Sequence, residues 1–560
     1  MSSRLRTLRR VAQLVFLAAF LLLFAVTGYP VSSPIPVDLF LRTDPLIALS
    51  AMLSLRRLLL PLLWYALPVT LLSLLLGRVF CGWVCPMGTA IDLSERLFRI
   101  RGRPPSQAPR WRRVKFYLLI ALLVTMALPA AHRSAHELAL SQSVGLSTVY
   151  AMDPIAILTR TLTLAGVPAV QWAVGFGRDV TTAWGYSALA DNHPWIARAL
   201  NPIDLALNLV ARPDGAYFRL GLLSFLIFAG VVALGRFARR FWCRNLCPLG
   251  ALLGVLGKAS PVRLRVSDKC TRCMRCVNEC KVGAISDDPH RYCGPECISC
   301  YSCIAVCPER AISLTIGRGQ ANRRDKLSLE RRRVLEAMGA GIVGLVLLKV
   351  DWATRRSQSG QKALKISSER LIRPPGSLPE NSFVTACVRC GECMKVCPSN
   401  TLQPALGEGG LEAVATPILV PRMGPCLDQC NACSQVCPTS AIQPFAVEEK
   451  SHLYLGTADV DRSKCIAWAY GRQCLVCDGA CPYNAIYPDL LNGLGRPLVD
   501  DRICVGCGQC EWVCPVEPRG AIHVSSSGDR RHLTREEQCA LRQGAESKQD
   551  GESKSPYPGL

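Results

Sequence analysis

No C-x2-C-H motif occurs in the 560-residue chain, so covalent haem is not indicated. No glycine-rich dinucleotide fingerprint occurs either, so neither NAD nor flavin is indicated. Acidic residues are scarce in one half only: residues 351–560 hold 22 Lys/Arg against 23 Asp/Glu, so the formal excess of +23 falls within residues 1–350. No nucleic-acid recognition motif accompanies that charge. The arginines instead gather beside long apolar runs, the positive-inside bias of a membrane protein whose basic loops meet anionic lipid. The lipid bilayer is an expected partner and nucleic acid is not.

Cysteine is abundant, at thirty residues. A disulfide framework belongs to short secreted domains, and this chain is long and rich in apolar runs. Between 387 and 514 the cysteines fall into four sets, each closed by Cys-Pro. The sets are Cys387, Cys390, Cys393 and Cys397; Cys426, Cys430, Cys433 and Cys437; Cys465, Cys474, Cys477 and Cys481; and Cys504, Cys507, Cys510 and Cys514. The C-x2-C-x2-C-x3-C-P run is that of a bacterial [4Fe–4S] ferredoxin, where three close thiolates hold one cube and the fourth reaches its neighbour. Zinc is the competing reading of C-x2-C pairs, but zinc ribbons set two pairs apart by a long gap. Four iron–sulfur cubes are expected here, and with them electron transfer.

An earlier block repeats the pattern with Cys270, Cys273, Cys276 and Cys280, then Cys297, Cys300, Cys303 and Cys307. The ferredoxin rule puts Cys307 with the first three and Cys280 with Cys297, Cys300 and Cys303. Lys281 replaces the usual proline after Cys280. Ala284-Ile285, Ala311-Ile312, Ala441-Ile442 and Ala485-Ile486 lie four and five residues beyond a fourth cysteine. Thr401-Leu402 is a looser version, and Ala521-Ile522 follows a short insertion. Such self-similarity marks half-modules that close a core in pairs. Six of them predict three α+β ferredoxin-like pairs and six [4Fe–4S] clusters. Cys293 and Cys539 fit no set.

Ahead of these lie four apolar runs, at 11–26, 58–77, 116–131 and 218–235, close to the length a helix needs to span. No small-x-small cleavage site follows the first, which therefore reads as a span rather than a signal peptide. Basic clusters place both ends of this bundle inside, while segment 132–216, with five Lys/Arg against six Asp/Glu, is expected outside. Arg56 and Arg57 run against that placement. One pattern recurs here: Asp44-Pro, a span, then Arg78, Cys81, Cys85-Pro and Gly88; and Asp153-Pro, a span, then Arg240, Cys243, Cys247-Pro and Gly250. The repeat predicts two related halves facing each other. Four-residue spacing would put both thiols of a pair on one helix face. Buried cysteines also pack as small apolar residues, and Asp-Pro also caps helices. Converging, the four thiols would be further candidate metal ligands or a redox couple. His132 and His136 are candidates for proton acceptance, or a satisfied interfacial pair.

Residues 318–350 form a basic linker, with Arg331, Arg332 and Arg333 ahead of a twelve-residue apolar run at 337–348. That is short for a span and suits the apolar part of a twin-arginine-like export signal. A short buried helix is the alternative. Residues 526–560 read as a disordered tail.

These motifs resemble a family. Residues 1–310 resemble the membrane-bound ferredoxin-type subunit that accompanies periplasmic nitrate reductase, and residues 325–525 resemble its exported partner. The chain looks like the two joined end to end. The resemblance implies a quinol dehydrogenase-like oxidoreductase of the bacterial inner membrane, taking electrons from the quinone pool towards a periplasmic reductase or cytochrome. It implies that the first ferredoxin unit is cytoplasmic and the second periplasmic. An iron–sulfur maturation or assembly factor for a partner metalloenzyme is the rival reading. The expected fold is an α-helical membrane bundle of four spans (1–260), then a two-cluster α+β ferredoxin domain (261–317). The linker (318–350), a four-cluster polyferredoxin domain (380–525) and the tail follow.

Overall fold

The computed structural model describes residues 2–31, 33, 35–99, 109–127, 152–185, 217–285, 288–290, 292–316, 332, 334–336, 338–339, 370–410, 413–489 and 495–552. His132, His136 and most of the 318–350 linker lie outside them.

Each apolar run folds as helix where described. The first gives α1 (Ser2–Val26), with Leu8, Leu14, Val15 and Leu22 facing outward. Residues Arg4–Val26 are long and apolar enough to cross a membrane. After α2 (Pro45–Leu55), the second run gives α3 (Leu60–Leu76). The chain then turns through α4 (Val79–Trp83) into α5 (Pro86–Leu97); α3 and the Val79–Leu97 stretch form a second candidate, bent by 99°. The third and fourth runs give α6 (Pro109–Ala127) and, further on, α9 (Gly221–Ala233). Length and apolarity thus support one or two crossings among the described residues.

The described part of segment 132–216 forms α7 (Pro154–Thr161), a π-turn at Leu162–Gly166 and α8 (Val167–Gly185). Ile155, Ala156 and Ile157 are fully buried there and share a core with Phe80, Met87 and Ile91. Burying that apolar face holds α7 to the rest of the helical half.

The duplication is visible in the capping. Asp44 caps α2, its carboxylate accepting from the Leu46 amide at 2.7 Å, with Pro45 at the first helical position. Asp153 caps α7 by accepting from the Ala156 amide at 2.8 Å, with Pro154 at the same place. Both follow the rule that a short acceptor and a proline start a helix. The second half then continues through α10 (Phe241–Asn245) and α11 (Pro248–Leu256), as α4 and α5 do in the first.

Cys81 lies in α4, but Cys85 is the N-cap of α5; Cys243 and Cys247 are placed alike in α10 and before α11. Each pair straddles a helix break rather than sharing a helix face. The following proline lacks an amide and holds the preceding residue out of the helical region.

The ferredoxin-type regions are built on two-stranded antiparallel sheets, four among the described residues. β1 (Val262–Val266) pairs with β2 (Ile312–Ile316) and so closes the first unit at its two ends. In the second unit β3 (Leu402–Pro404) pairs with β4 (Pro417–Leu419), and β6 (Ile486–Asp489) with β7 (Arg496–Val499). Around the latter, β5 (Thr457–Val460) pairs with β8 (Ile522–Ser525). The isoleucine of three Ala-Ile pairs opens a strand: Ile312, Ile486 and Ile522.

The expectation of a disordered tail over 526–560 does not hold through residue 552. α12 (Arg535–Glu552) packs back on the second unit: Arg542 donates to the Ile503 carbonyl at 2.6 Å, and Arg535 to the Pro444 carbonyl at 2.6 Å. Low apolar content conceals such a segment, because its docking rests on arginines reaching carbonyls.

Candidate iron–sulfur sites

In four of the cysteine sets the residues on both sides of the middle cysteine adopt left-handed backbone. These are Arg272 and Met274, Ser299 and Tyr301, Arg389 and Gly391, and Gly506 and Gly508, with φ between 50 and 86°. That alternation curls the chain so that three thiols turn towards one space. Left-handed geometry costs about 1–2 kcal/mol at a non-glycine residue, a strain kept only where the surroundings impose it. A short helix follows each curl, such as Ser302–Val306, and the fourth cysteine ends it.

Cys270, Cys273, Cys276 and Cys307 line one pocket with Pro308 and Ile312. Cys303 lies in electrostatic reach of Cys297, Cys300 and Cys280. In the second unit Cys393 lies in electrostatic reach of Cys387, Cys390 and Cys437, and Cys433 of Cys426, Cys430 and Cys397. Cys504, Cys507 and Cys510 line a pocket together with Cys481. Cys477 lies in electrostatic reach of Cys465 and Cys474, and Cys514 packs into the small core around Cys465. The fourth cysteine thus crosses to the partner set in all three pairs. Within the second unit the partners are the first with the second set and the third with the fourth.

All thirty cysteines are free thiols, and no three His, Cys, Asp or Glu side chains among the described residues close on a point as a single metal ion needs. Tetrahedral zinc would hold sulfurs about 3.8 Å apart. A cube assigns each thiolate its own iron and takes a wider ring. The donor set of each group, four thiols, fits a [4Fe–4S] cube. Burial pushes Cys276 and Cys387 up to about 11, and Cys297 and Cys507 up to about 12, so ligation must displace protons.

Backbone amides supply the polar surroundings. Ala284 donates to Cys280 Sγ at 3.1 Å, Ala311 to Cys307 at 3.3 Å, Ala485 to Cys481 at 3.3 Å and Ala521 to Cys514 at 3.3 Å. In the remaining Ala-Ile pair the Ile442 amide reaches Cys437 at 3.4 Å. This explains the recurrent Ala-Ile: the small residue brings its amide to sulfur, and the next side chain enters the core. Lys450 carried no signal in the sequence; it is buried and donates to the Cys430 carbonyl at 2.6 Å.

The two units attach at opposite ends of α1. Near its start, Arg9 pairs with Asp92 at 3.3 Å, and Lys281 of the first unit pairs with the same carboxylate at 2.9 Å. Lys281 is therefore an anchor, which accounts for the missing proline. Near the end of α1, Lys395 of the second unit donates to the Phe24 carbonyl and, at 2.7 Å, to that of Thr27. Arg219 with Glu408 at 3.1 Å, and Tyr29 with the Gln429 carbonyl at 3.1 Å, join that same unit to the helical half. Fifteen residues of helix separate Arg9 from Phe24, about 22 Å.

Profiles of 4Fe-4S binding domain families match residues 58–104 and 220–267, residues 265–286 and 497–519, and residues 387–401. The first two stretches are the C-x3-C-P repeats. The ferredoxin-type protein NapG of Escherichia coli (strain K12) is 38% identical over 28% of this chain and 71% of its own length. The methylamine utilization ferredoxin-type protein MauM of Methylorubrum extorquens is 35% identical over 34% of this chain and 88% of its own. The ferredoxin-type protein NapH of Haemophilus influenzae is 26% identical over 55% of this chain and 88% of its own. No solved structure matches the chain. On these likenesses and on the cysteine sets just described, the chain belongs to the ferredoxin-type proteins of the NapG and MauM family and resembles NapH as well.

Proposed function

We propose that this protein is a membrane-anchored electron conduit that takes electrons from the quinol pool and passes them to a periplasmic reductase or cytochrome. The observation that carries this reading is the attachment of two ferredoxin-type units at opposite ends of α1. The arginines at 4, 6, 9 and 10 lie at the first unit's end of that helix, which favours a cytoplasmic first unit and a periplasmic second one.

Six [4Fe–4S] clusters held by the six crossed cysteine groups would supply one-electron transfer. The chain's own part is to order the groups. Cys303 neighbours Cys276, joining the two groups of the first unit. In the second unit the amide of Cys426 donates to the Cys507 carbonyl at 2.9 Å, setting the second and fourth sets side by side. Amide donors at sulfur favour the reduced, more negative state and so raise potential.

A protease-accessible tag at the C-terminus, in intact spheroplasts, tests the sidedness. Digestion supports a conduit across the membrane, and protection puts both units on the cytoplasmic side and sinks it. Bleaching of the visible iron–sulfur absorption by a reduced quinone analogue, in membranes carrying the protein, tests the donor.

A further inference from the structure

The C-x3-C-P repeats lie outside the six groups, yet the structure brings their cysteines together. All four sit in one buried core, with Cys85 in electrostatic reach of Cys81 and Cys243, and Cys247 of Cys243, Cys81 and Cys85. All four are buried, at 4–8% exposure. Each repeat supplies two thiols, so a four-thiol site exists only between the repeats.

The repeats interlock through their arginines. Arg240 donates to the Cys81 carbonyl at 2.9 Å and the Gly88 carbonyl at 3.1 Å; Arg78 donates to the Cys243 carbonyl at 3.3 Å. A Cβ on Gly250 would meet Arg78 at 2.5 Å. The glycine of each C-P-x-G thus borders the arginine of the other repeat, which explains why the motif recurs whole.

The charge around the thiols is unbalanced. Arg9, Arg240 and Lys281 converge on Asp92, while Arg78 and Lys115 converge on Glu296. Among the described residues, five cations therefore share two buried carboxylates, with half-buried Glu95 accepting from the Arg240 amide at the margin. Arg78 Nε is buried without an acceptor. Buried charge without an opposite partner is expensive, so the site calls for further anion. Four thiolates around iron and sulfide supply it, whereas two disulfides would not. As with the ferredoxin sets, the four thiols do not close on a single metal ion.

Position agrees. A Cβ on Gly82 would lie 2.2 Å from the Ile298 carbonyl oxygen, and Trp83 Nε1 donates to the Ser299 carbonyl at 2.9 Å, so the site abuts the Cys297–Cys303 loop. On its other side α7 packs against α5, and Arg160 at the end of α7 is in electrostatic reach of both Asp153 and Cys390 of the second unit. Electron tunnelling falls off exponentially with distance, so a path across about 22 Å of helix needs a carrier between its ends.

We infer that Cys81, Cys85, Cys243 and Cys247 together hold one further iron–sulfur cluster, between the two repeats and between the two ferredoxin units. This rests on the iron–sulfur reading of the other sets, and the test separates the two. The full chain, purified anaerobically in detergent, is assayed for iron, acid-labile sulfide and zinc, and by low-temperature EPR after dithionite reduction. The wild type is expected to carry iron and sulfide beyond the content of the six ferredoxin groups by one cluster. The C81S/C243S variant is expected to lose that share and its signal while keeping the ferredoxin signals. A wild type with no excess, one zinc per chain without extra sulfide, or a variant of unchanged iron content overturns the inference. Should the variant lose every signal through misfolding, the wild-type content decides alone. A wild type lacking ferredoxin signals altogether would overturn the earlier reading instead.

Discussion

Gly508 shows what a single position in a cysteine set must do. Its φ is +82°, and a Cβ there would lie 2.6 Å from Pro421 Cβ. Gly508→Ala is expected to destabilise the second unit by about 1–3 kcal/mol and to weaken the EPR signal of the 504–510 group. A variant melting and loading like wild type would refute the wrapped geometry. Asp44 works by ordinary capping. Asp44→Ala should cost about 1 kcal/mol of thermal stability and Asp44→Asn much less, since asparagine also caps well. Equal losses in both would mean that the carboxylate itself matters. The cap was legible in the sequence as Asp-Pro; the left-handed φ at Arg272 or Tyr301 was not, because those residue types do not advertise it.

At the scale of elements, buried arginines join pieces distant in sequence. Arg240 holds α10 to α5 through two bonds to Asp92, both 2.9 Å, and through two carbonyls. Lysine has one point charge where arginine has a planar fork. Arg240→Lys should cost about 3 kcal/mol or more, read as a drop in thermal midpoint in detergent. Glu380 ties the start of the second unit to residues near its end, contacting Arg373 at 2.5 Å and Arg531 at 3.3 Å. Burial raises its carboxyl, but the two arginines outweigh this and hold it below the ordinary carboxylate range. The contribution is thus present above the unfolded value and lost as pH falls through the folded one. The second unit should loosen on acidification with a contribution that Glu380→Gln removes; an unchanged acid limb in that variant would refute it. Neither tie was readable beforehand, since nothing local links residue 380 to residue 531.

For the whole molecule, the candidate cysteine ligands were legible because three thiols meant for one iron–sulfur cube must lie close in sequence as well as in space. Their local spacing, the apolar runs and the Asp-Pro to C-P-x-G repeat belong to that legible part. Tertiary structure decided which fourth cysteine meets which three, since that contact spans tens of residues and depends on how the half-modules close. It decided that the two C-x3-C-P repeats face each other and exchange arginines. It also decided that Lys281 and Lys395 attach the two ferredoxin units at opposite ends of α1. The reason is common to all three: short-range covalent geometry is written in spacing, whereas long-range contacts are selected only when apolar burial and the pairing of buried charge are satisfied together.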